Sequence, residues 1–173
     1  MKRIITCTVQ DRGGVLNRIT GMFYKRQFNI ESITVGVSEI EGLSKMTFVV
    51  EISDDQKLEQ LTKQLNKQID VIKVSDITDK AIVARELALV KVNAGNQSRA
   101  EIQGIITPFR GTVIDVSKDT LTIQVTGKSD KVDALISLLK PYGIKEISRT
   151  GVTALLRGQQ SSQQVVEVNS FPV

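Results

Sequence analysis

The segment Asp11-Arg12-Gly13-Gly14-Val15-Leu16 joins a carboxylate and two adjacent glycines to the opening of an apolar helical stripe. Two glycines let a backbone turn tightly, and the first N–H groups of a helix point outward without intrahelical partners. With the partial positive charge of a helix start, such a corner suits a carboxylate ligand, by about 0.3–1 kcal/mol and up to roughly 2 kcal/mol when partly buried. Asn29, at the start of the next extended segment, offers a donor and an acceptor to the backbone groups of an amino acid. Ile30 or Val35 beside it suits an aliphatic side chain. The same residues also have plainer readings: Asp11 as a helix cap, the glycines as a turn, Asn29 in an Asx-turn. Gly13-Gly14 is neither a Walker loop, since no Gly-Lys-Ser/Thr follows, nor a dinucleotide fingerprint.

Other reactive chemistry is scarce. The chain has no histidine, so the commonest general acid/base and the commonest neutral metal ligand are both missing. Cys7, the single cysteine, sits in an apolar strand pattern with no basic neighbour beside it in sequence, which reads as burial rather than reactivity. One cysteine forms no intrachain disulfide and suits a reducing compartment, with cytoplasm the default. Asp54-Asp55 and the pair Asp130 and Asp133 stand at predicted helix starts, where carboxylates offset the macrodipole, rather than as metal ligands. No catalytic residue and no metal site is assigned.

The elements that must position the corner follow from periodicity. Residues 3–9 alternate as a strand with Ile5, Cys7 and Val9 on one face. Leu16, Ile19 and Phe23 then take helical spacing over 15–25, widened by Val15 and Met22. Residues 29–37 and 45–52 are predicted strands around a turn at Glu41-Gly42. Leu58, Leu61 and Leu65 stripe a second helix behind the capping run Ser53-Asp54-Asp55, and residues 70–78 close the unit. The order recurs as a strand at 85–94, a helix carrying Ile102, Ile105, Ile106 and Phe109 behind Asn96-Gln97-Ser98, a hairpin of 111–117 with 120–126, a helix striped by Val132, Leu135, Ile136 and Leu139, and a strand at 144–149. Pro141 and Gly143 help to end that second helix. By strand starts, Arg3 matches Arg85 and Asn29 matches Gly111, each 82 positions apart, and Asp70 matches Ile144.

The fold class is therefore α+β, two ferredoxin-like βαββαβ domains at 1–79 and 80–158. Residues 159–173, opening with a Gln/Ser run, read as a disordered tail. In this arrangement both helices pack on one face of each sheet and the other face stays open. Domains of about 70 residues are marginal alone. Ile33, Val35 and Val37 also leave the second strand apolar on one side, so self-association is expected.

Of the 173 residues, 40% are hydrophobic and 24% charged, as in soluble globular proteins. No apolar run approaches the roughly 20 residues needed to span a bilayer, and the opening Met1-Lys2-Arg3 leads into a strand rather than a leader. The formal charge is +4, but basic residues are interleaved with acids, which favours solvated surface over a nucleic-acid patch. RNA-recognition motifs share the element order, yet they stack bases on exposed aromatics. Here aromatics are 4%, and Phe48 alternates in phase with Met46 and Val50. Neither a nucleic-acid partner nor a self-contained enzyme is expected.

At Gly14-Val15-Leu16-Asn17-Arg18-Ile19, Phe28-Asn29-Ile30-Glu31-Ser32-Ile33-Thr34-Val35-Gly36 and Ser44-Lys45-Met46-Thr47 the chain resembles the small subunit of acetolactate synthase (acetohydroxyacid synthase). The likeness runs on through Phe109-Arg110-Gly111, Ile114-Asp115-Val116-Ser117, Val125-Thr126-Gly127, Pro141-Tyr142-Gly143-Ile144 and Arg149-Thr150-Gly151, covering about residues 2–158. It implies an N-terminal ACT domain that pairs with its copy in a homodimer, and a C-terminal ferredoxin-like domain. It further implies a large catalytic subunit as partner, holding thiamine diphosphate, magnesium and FAD, which this subunit activates and subjects to feedback inhibition by valine. The effector site implied by motif position comprises Asp11, Gly13, Gly14, Val15 and Leu16 of one copy, with Asn29 and Ile30 of the other. The chain departs from the family pattern at Asp11, where asparagine is common, and at Gly13, where proline is frequent. The aspartate places a negative charge near a ligand carboxylate or meets the ligand's ammonium group.

Overall fold

A computed structural model describes residues 1–158; the expected tail at 159–173 lies outside them. The first unit runs β1 (Lys2–Gln10), α1 (Val15–Lys25), β2 (Ile30–Val37), β3 (Leu43–Glu51), α2 (Asp55–Asn66), β4 (Val71–Asp76). The second runs β5 (Ile82–Asn93), α3 (Arg99–Ile106), β6 (Thr112–Val116), β7 (Thr120–Gly127), α4 (Ser129–Leu139), β8 (Ile144–Arg149). A further strand, β9 (Thr153–Leu156), follows. The sheets are antiparallel, in the orders β2-β3-β1-β4 and β6-β7-β5-β8, and β9 pairs with the first residues of β5. This is the α+β, doubled βαββαβ arrangement read from the sequence.

Alternation on the strands and stripes on the helices build two separate cores. Ile5, Cys7 and Val9 of β1 point inward against Ile19 and Phe23 of α1 and Leu61 and Leu65 of α2. Phe23 stacks on Phe48 at 5.0 Å between centroids and meets the edge of Phe28 at 6.4 Å. The second core gathers Val90, Val92, Ile102, Ile106, Ile123, Val132, Leu135 and Leu139. Each fully buried aliphatic or aromatic side chain of this kind contributes about 1.5–3 kcal/mol. Burial pushes the Cys7 thiol up to about 12, so it stays protonated at neutral pH, in keeping with a structural role.

Local chemistry sets the helix starts. Asp54, in extended backbone, caps α2 by accepting the Lys57 N–H at 2.8 Å, as its sequence position suggests. Ser98 departs from expectation. Its backbone is already helical, so its hydroxyl points back and donates to the Gly95 carbonyl at 3.1 Å instead of capping α3. Leu16 departs too: it is 46% exposed, because Val15 turns into the core in its place.

Two further expectations need correction. The internal equivalence is offset by one residue from the strand starts. Cys7 bridges Met46 and Val74 as Val90 bridges Ile123 and Ile147, so Arg3 corresponds to Glu86 rather than Arg85. The first sheet's open face is also not wholly free. Residues 151–156 lie over it, and Ile77, Ala154 and Leu156 line a cavity of about 130 Å³ between that face and β9. A four-residue strand behind a glycine turn carries too little alternation to be read from sequence.

Candidate ligand-binding corner of the first sheet

β1 ends at Gln10, whose N–H donates to the Asp70 carbonyl at 2.8 Å, and Asp11 N–H donates to the Gly42 carbonyl at 2.8 Å. These two bonds hold the chain's exit against β4 and against the β2–β3 hairpin. The loop then turns at Gly14, which occupies the N-cap of α1 with φ +86°, a left-handed conformation that favours glycine. No side chain caps this helix, so Asp11 does not serve as its cap. A Cβ added at Gly13 or Gly14 would meet nothing within 4 Å, so the space in front of both is open.

Val15 N–H donates to the Arg12 carbonyl at 3.4 Å and Arg18 N–H to the Gly14 carbonyl at 3.0 Å. Among the described residues, the N–H groups of Gly13, Gly14, Leu16 and Asn17 have no hydrogen-bond acceptor. They form a cluster of donors at the positive end of an 11-residue helix, facing open space. Val15 itself is 3% exposed, so its side chain belongs to the core, whereas Leu16 stands beside the corner. Arg18, one turn on, is ion-paired to the buried Asp70 carboxylate and fastens the helix start to the residue before β4. Nothing in the local sequence pattern marks that pair, whose members lie 52 residues apart.

Asn29 is exposed, and its side chain makes no hydrogen bond among the described residues, so the Asx-turn reading does not hold. Ile30 is half-buried and packs against the first core. A bulge between Ile30 and Ser32 turns Ile30 and Ile33 toward the helices and leaves Ser32 and Thr34 on the open face.

The structure brings Asp11, Gly13, Gly14, Val15 and Leu16 together but not Asn29 and Ile30 with them. β1 and β2 both run antiparallel to β3, hence parallel to each other. Ile30 pairs with Val50, which pairs with Arg3, whereas Gln10 pairs with Leu43. Asn29 is therefore level with the beginning of β1 and the glycine corner follows its end. At 3.2–3.4 Å per residue the two groups are about 23 Å apart along the sheet. β2 is also an edge strand, free to meet a second copy.

Residues 5–73 match the family model for the AHAS small subunit-like ACT domain, and residues 85–158 match that for the small subunit of acetolactate synthase. The chain is 61% identical over 171 residues to the acetolactate synthase small subunit of Bacillus subtilis, covering 97% of this chain and 99% of that one. The chain belongs to the acetolactate synthase small-subunit family. A probable small subunit from Methanothermobacter thermautotrophicus is 52% identical over 91% of this chain and 94% of its own. The crystal structure of the Thermotoga maritima small subunit superposes with a TM-score of 0.84 at 38% identity, covering 91% of this chain and 98% of that one. The first unit is thus an ACT domain. The chain is a regulatory, non-catalytic small subunit that associates with a large catalytic subunit. Among the described residues, no helix is long and apolar enough to cross a membrane, and no cluster of three or more candidate ligands is placed to hold a metal.

Proposed function

We propose that this small subunit activates the thiamine-diphosphate-dependent catalytic subunit, which converts two pyruvates to 2-acetolactate and carbon dioxide, and confers feedback inhibition by valine. Thiamine diphosphate, magnesium and FAD belong to the catalytic partner; valine is the ligand of this chain. Residues 1–79 form the sensing domain and 80–158 the second domain. The protein works in the cytoplasm, a setting that suits a lone buried cysteine.

The observation that carries this reading is the uncapped α1 corner. The valine carboxylate meets the N–H groups at Gly13, Gly14 and Leu16, where the helix start favours an anion. Asp11 and the Asn29 amide oxygen of the second copy receive the ammonium group, and Leu16 and the second copy's Ile30 meet the isopropyl group. Both halves come together only across a homodimer, because one chain holds them at opposite ends of its sheet. A two-fold axis beside the free edge of β2 sets each glycine corner against the partner's Asn29 and forms two equal sites.

Titrating valine into the purified chain, then into the chain with its catalytic subunit, tests this. Saturable binding to the chain alone is expected, with stimulation of acetolactate formation by the chain and reversal of that stimulation by valine. A chain that stimulates the catalytic subunit but takes up no valine would refute the effector assignment.

A further inference from the structure

The segment Arg149-Thr150-Gly151-Val152 between β8 and β9 is fixed to the second unit at one end and hooked onto β2 at the other. Arg149 is ion-paired to the buried Glu86 and to Asp133 at 2.7 Å. Thr150 N–H donates to the Leu87 carbonyl at 3.0 Å, and its hydroxyl accepts the Leu87 N–H at 3.1 Å. These contacts seat the segment on β5 and α4.

Val152 then faces β2. Its N–H donates to Ser32 Oγ at 2.9 Å, and its carbonyl accepts from Thr34 Oγ1 at 3.0 Å. Ser32 and Thr34 are two residues apart and so share a face of the strand. Two hydroxyls bracket one peptide residue as a neighbouring strand would. Gly151 allows this approach. Its φ is +81°, and a Cβ there would lie 2.5 Å from Ser32 Oγ and 3.4 Å from Thr34 Cγ2. Among the described residues, these are the side-chain hydrogen bonds that join the two units, and both are on the strand that begins beside Asn29.

We infer that this clasp links the effector site to the second domain: Ser32 and Thr34 are positioning residues through which a shift of β2 on effector binding reaches Arg149 and α4. The inference rests on the reading that valine engages the start of β2. The two cores share no residue, so the polar link offers a defined path between the units. A ligand at Asn29 changes the second domain only through contacts that differ between its bound and free states, and the inference assigns that role to the two hydrogen bonds of Val152.

The test uses the full chain reconstituted with its catalytic subunit. Ser32→Ala with Thr34→Val removes both hydroxyls from β2, and Gly151→Ala forces the clasp open from the other side. Both variants are expected to stimulate the catalytic subunit and bind valine as the unaltered chain does, while the inhibition reached at saturating valine falls to a small fraction of that in the unaltered chain, because the coupling between the sites is lost. Thr34→Ser, which keeps the hydroxyl, is expected to retain inhibition. In the unaltered chain, valine is expected to slow hydrogen exchange at the Val152 amide. Full inhibition in both clasp variants overturns the inference. So does loss of valine affinity in either, since the residues would then act at the site itself. If Gly14→Asp leaves valine affinity unchanged, the effector site is misplaced, and the clasp falls with it for that separate reason.

Discussion

The two units repeat one corner and finish it differently. Gln10 N–H meets the Asp70 carbonyl at 2.8 Å, and Asn93 N–H meets that of Gly143 at 3.0 Å. Asp11 N–H meets the Gly42 carbonyl at 2.8 Å, and Ala94 N–H meets that of Asp119 at 2.8 Å. Both central strands shift register at the matching place, between Thr8 and Val9 and between Lys91 and Val92. Beyond that point the likeness stops. In the second unit Arg99 folds over the corner and donates to the carbonyls of Ala94 at 3.2 Å, Ser117 at 2.6 Å and Lys118 at 2.7 Å. In the first, two glycines leave the corner with no side chain across it, although the first helix N–H groups lack acceptors in both units. The fold supplies the position in both units, and a few residues decide whether it is a site.

A second rung shows the same freedom. Arg3 on β1 pairs with Asp76 on β4 at 2.5 Å, while the matching residues Glu86 on β5 and Arg149 on β8 form an ion pair of reversed polarity. The fold requires a charge pair's geometry there, not its direction.

The comparison can be broken at the open corner first. Gly14→Asp adds a carboxylate and a Cβ at a left-handed position, and is expected to weaken valine binding by about 2–4 kcal/mol from repulsion and strain together. Calorimetry showing unchanged affinity would falsify the assignment of this corner. Next, Glu86→Ala leaves Arg149 without its buried partner and is expected to cost about 3 kcal/mol, read by denaturant unfolding, with Asp133 limiting the loss. Arg99→Ala opens the second corner and is expected to cost about 1–2 kcal/mol while leaving valine affinity unchanged. A new valine site in that variant would mean the corner geometry alone suffices.

The smallest effect concerns Asp76. Burial disfavours its charged form, but hydrogen bonds from the Thr78 hydroxyl and N–H, together with the Arg3 guanidinium, outweigh it and hold its carboxyl below the usual range. A lowered carboxyl stabilises the fold above the unfolded pKa, and that stability is lost as pH falls through the folded one. Asp76→Asn is expected to cost about 1 kcal/mol at neutral pH. It is also expected to flatten the acid limb of the stability profile, and an unchanged limb would show that other carboxylates set it.

Much of this was legible in the sequence for a physical reason. Buried faces impose periods of two and 3.6, so Ile5, Cys7 and Val9, or Leu61 and Leu65, announce their elements. The glycine corner was legible because a tight turn before a helix needs Gly14. What stayed hidden depends on contacts distant along the chain. Register is one such case: strand ends carry no marker, so the sequence pattern sets Arg3 against Arg85 whereas the pairing sets it against Glu86. The closure by Arg99 is another, since an arginine at a helix start says nothing of the carbonyls it will reach. The separation of Asn29 from the corner emerges only from strand directions, and the clasp at Val152 only from how the second unit lies on the first sheet.

Valine stoichiometry in mixed dimers tests the shared site most directly. Chains carrying Gly14→Asp or Asn29→Ala alone would each spoil both sites of a homodimer. A purified dimer with one chain of each kind keeps one corner and one Asn29 intact, facing each other. If the site is shared between copies, calorimetry on that mixed dimer will show one valine bound per dimer at near-native affinity. No valine bound by the mixed dimer would place the whole site within a single chain and contradict the shared corner.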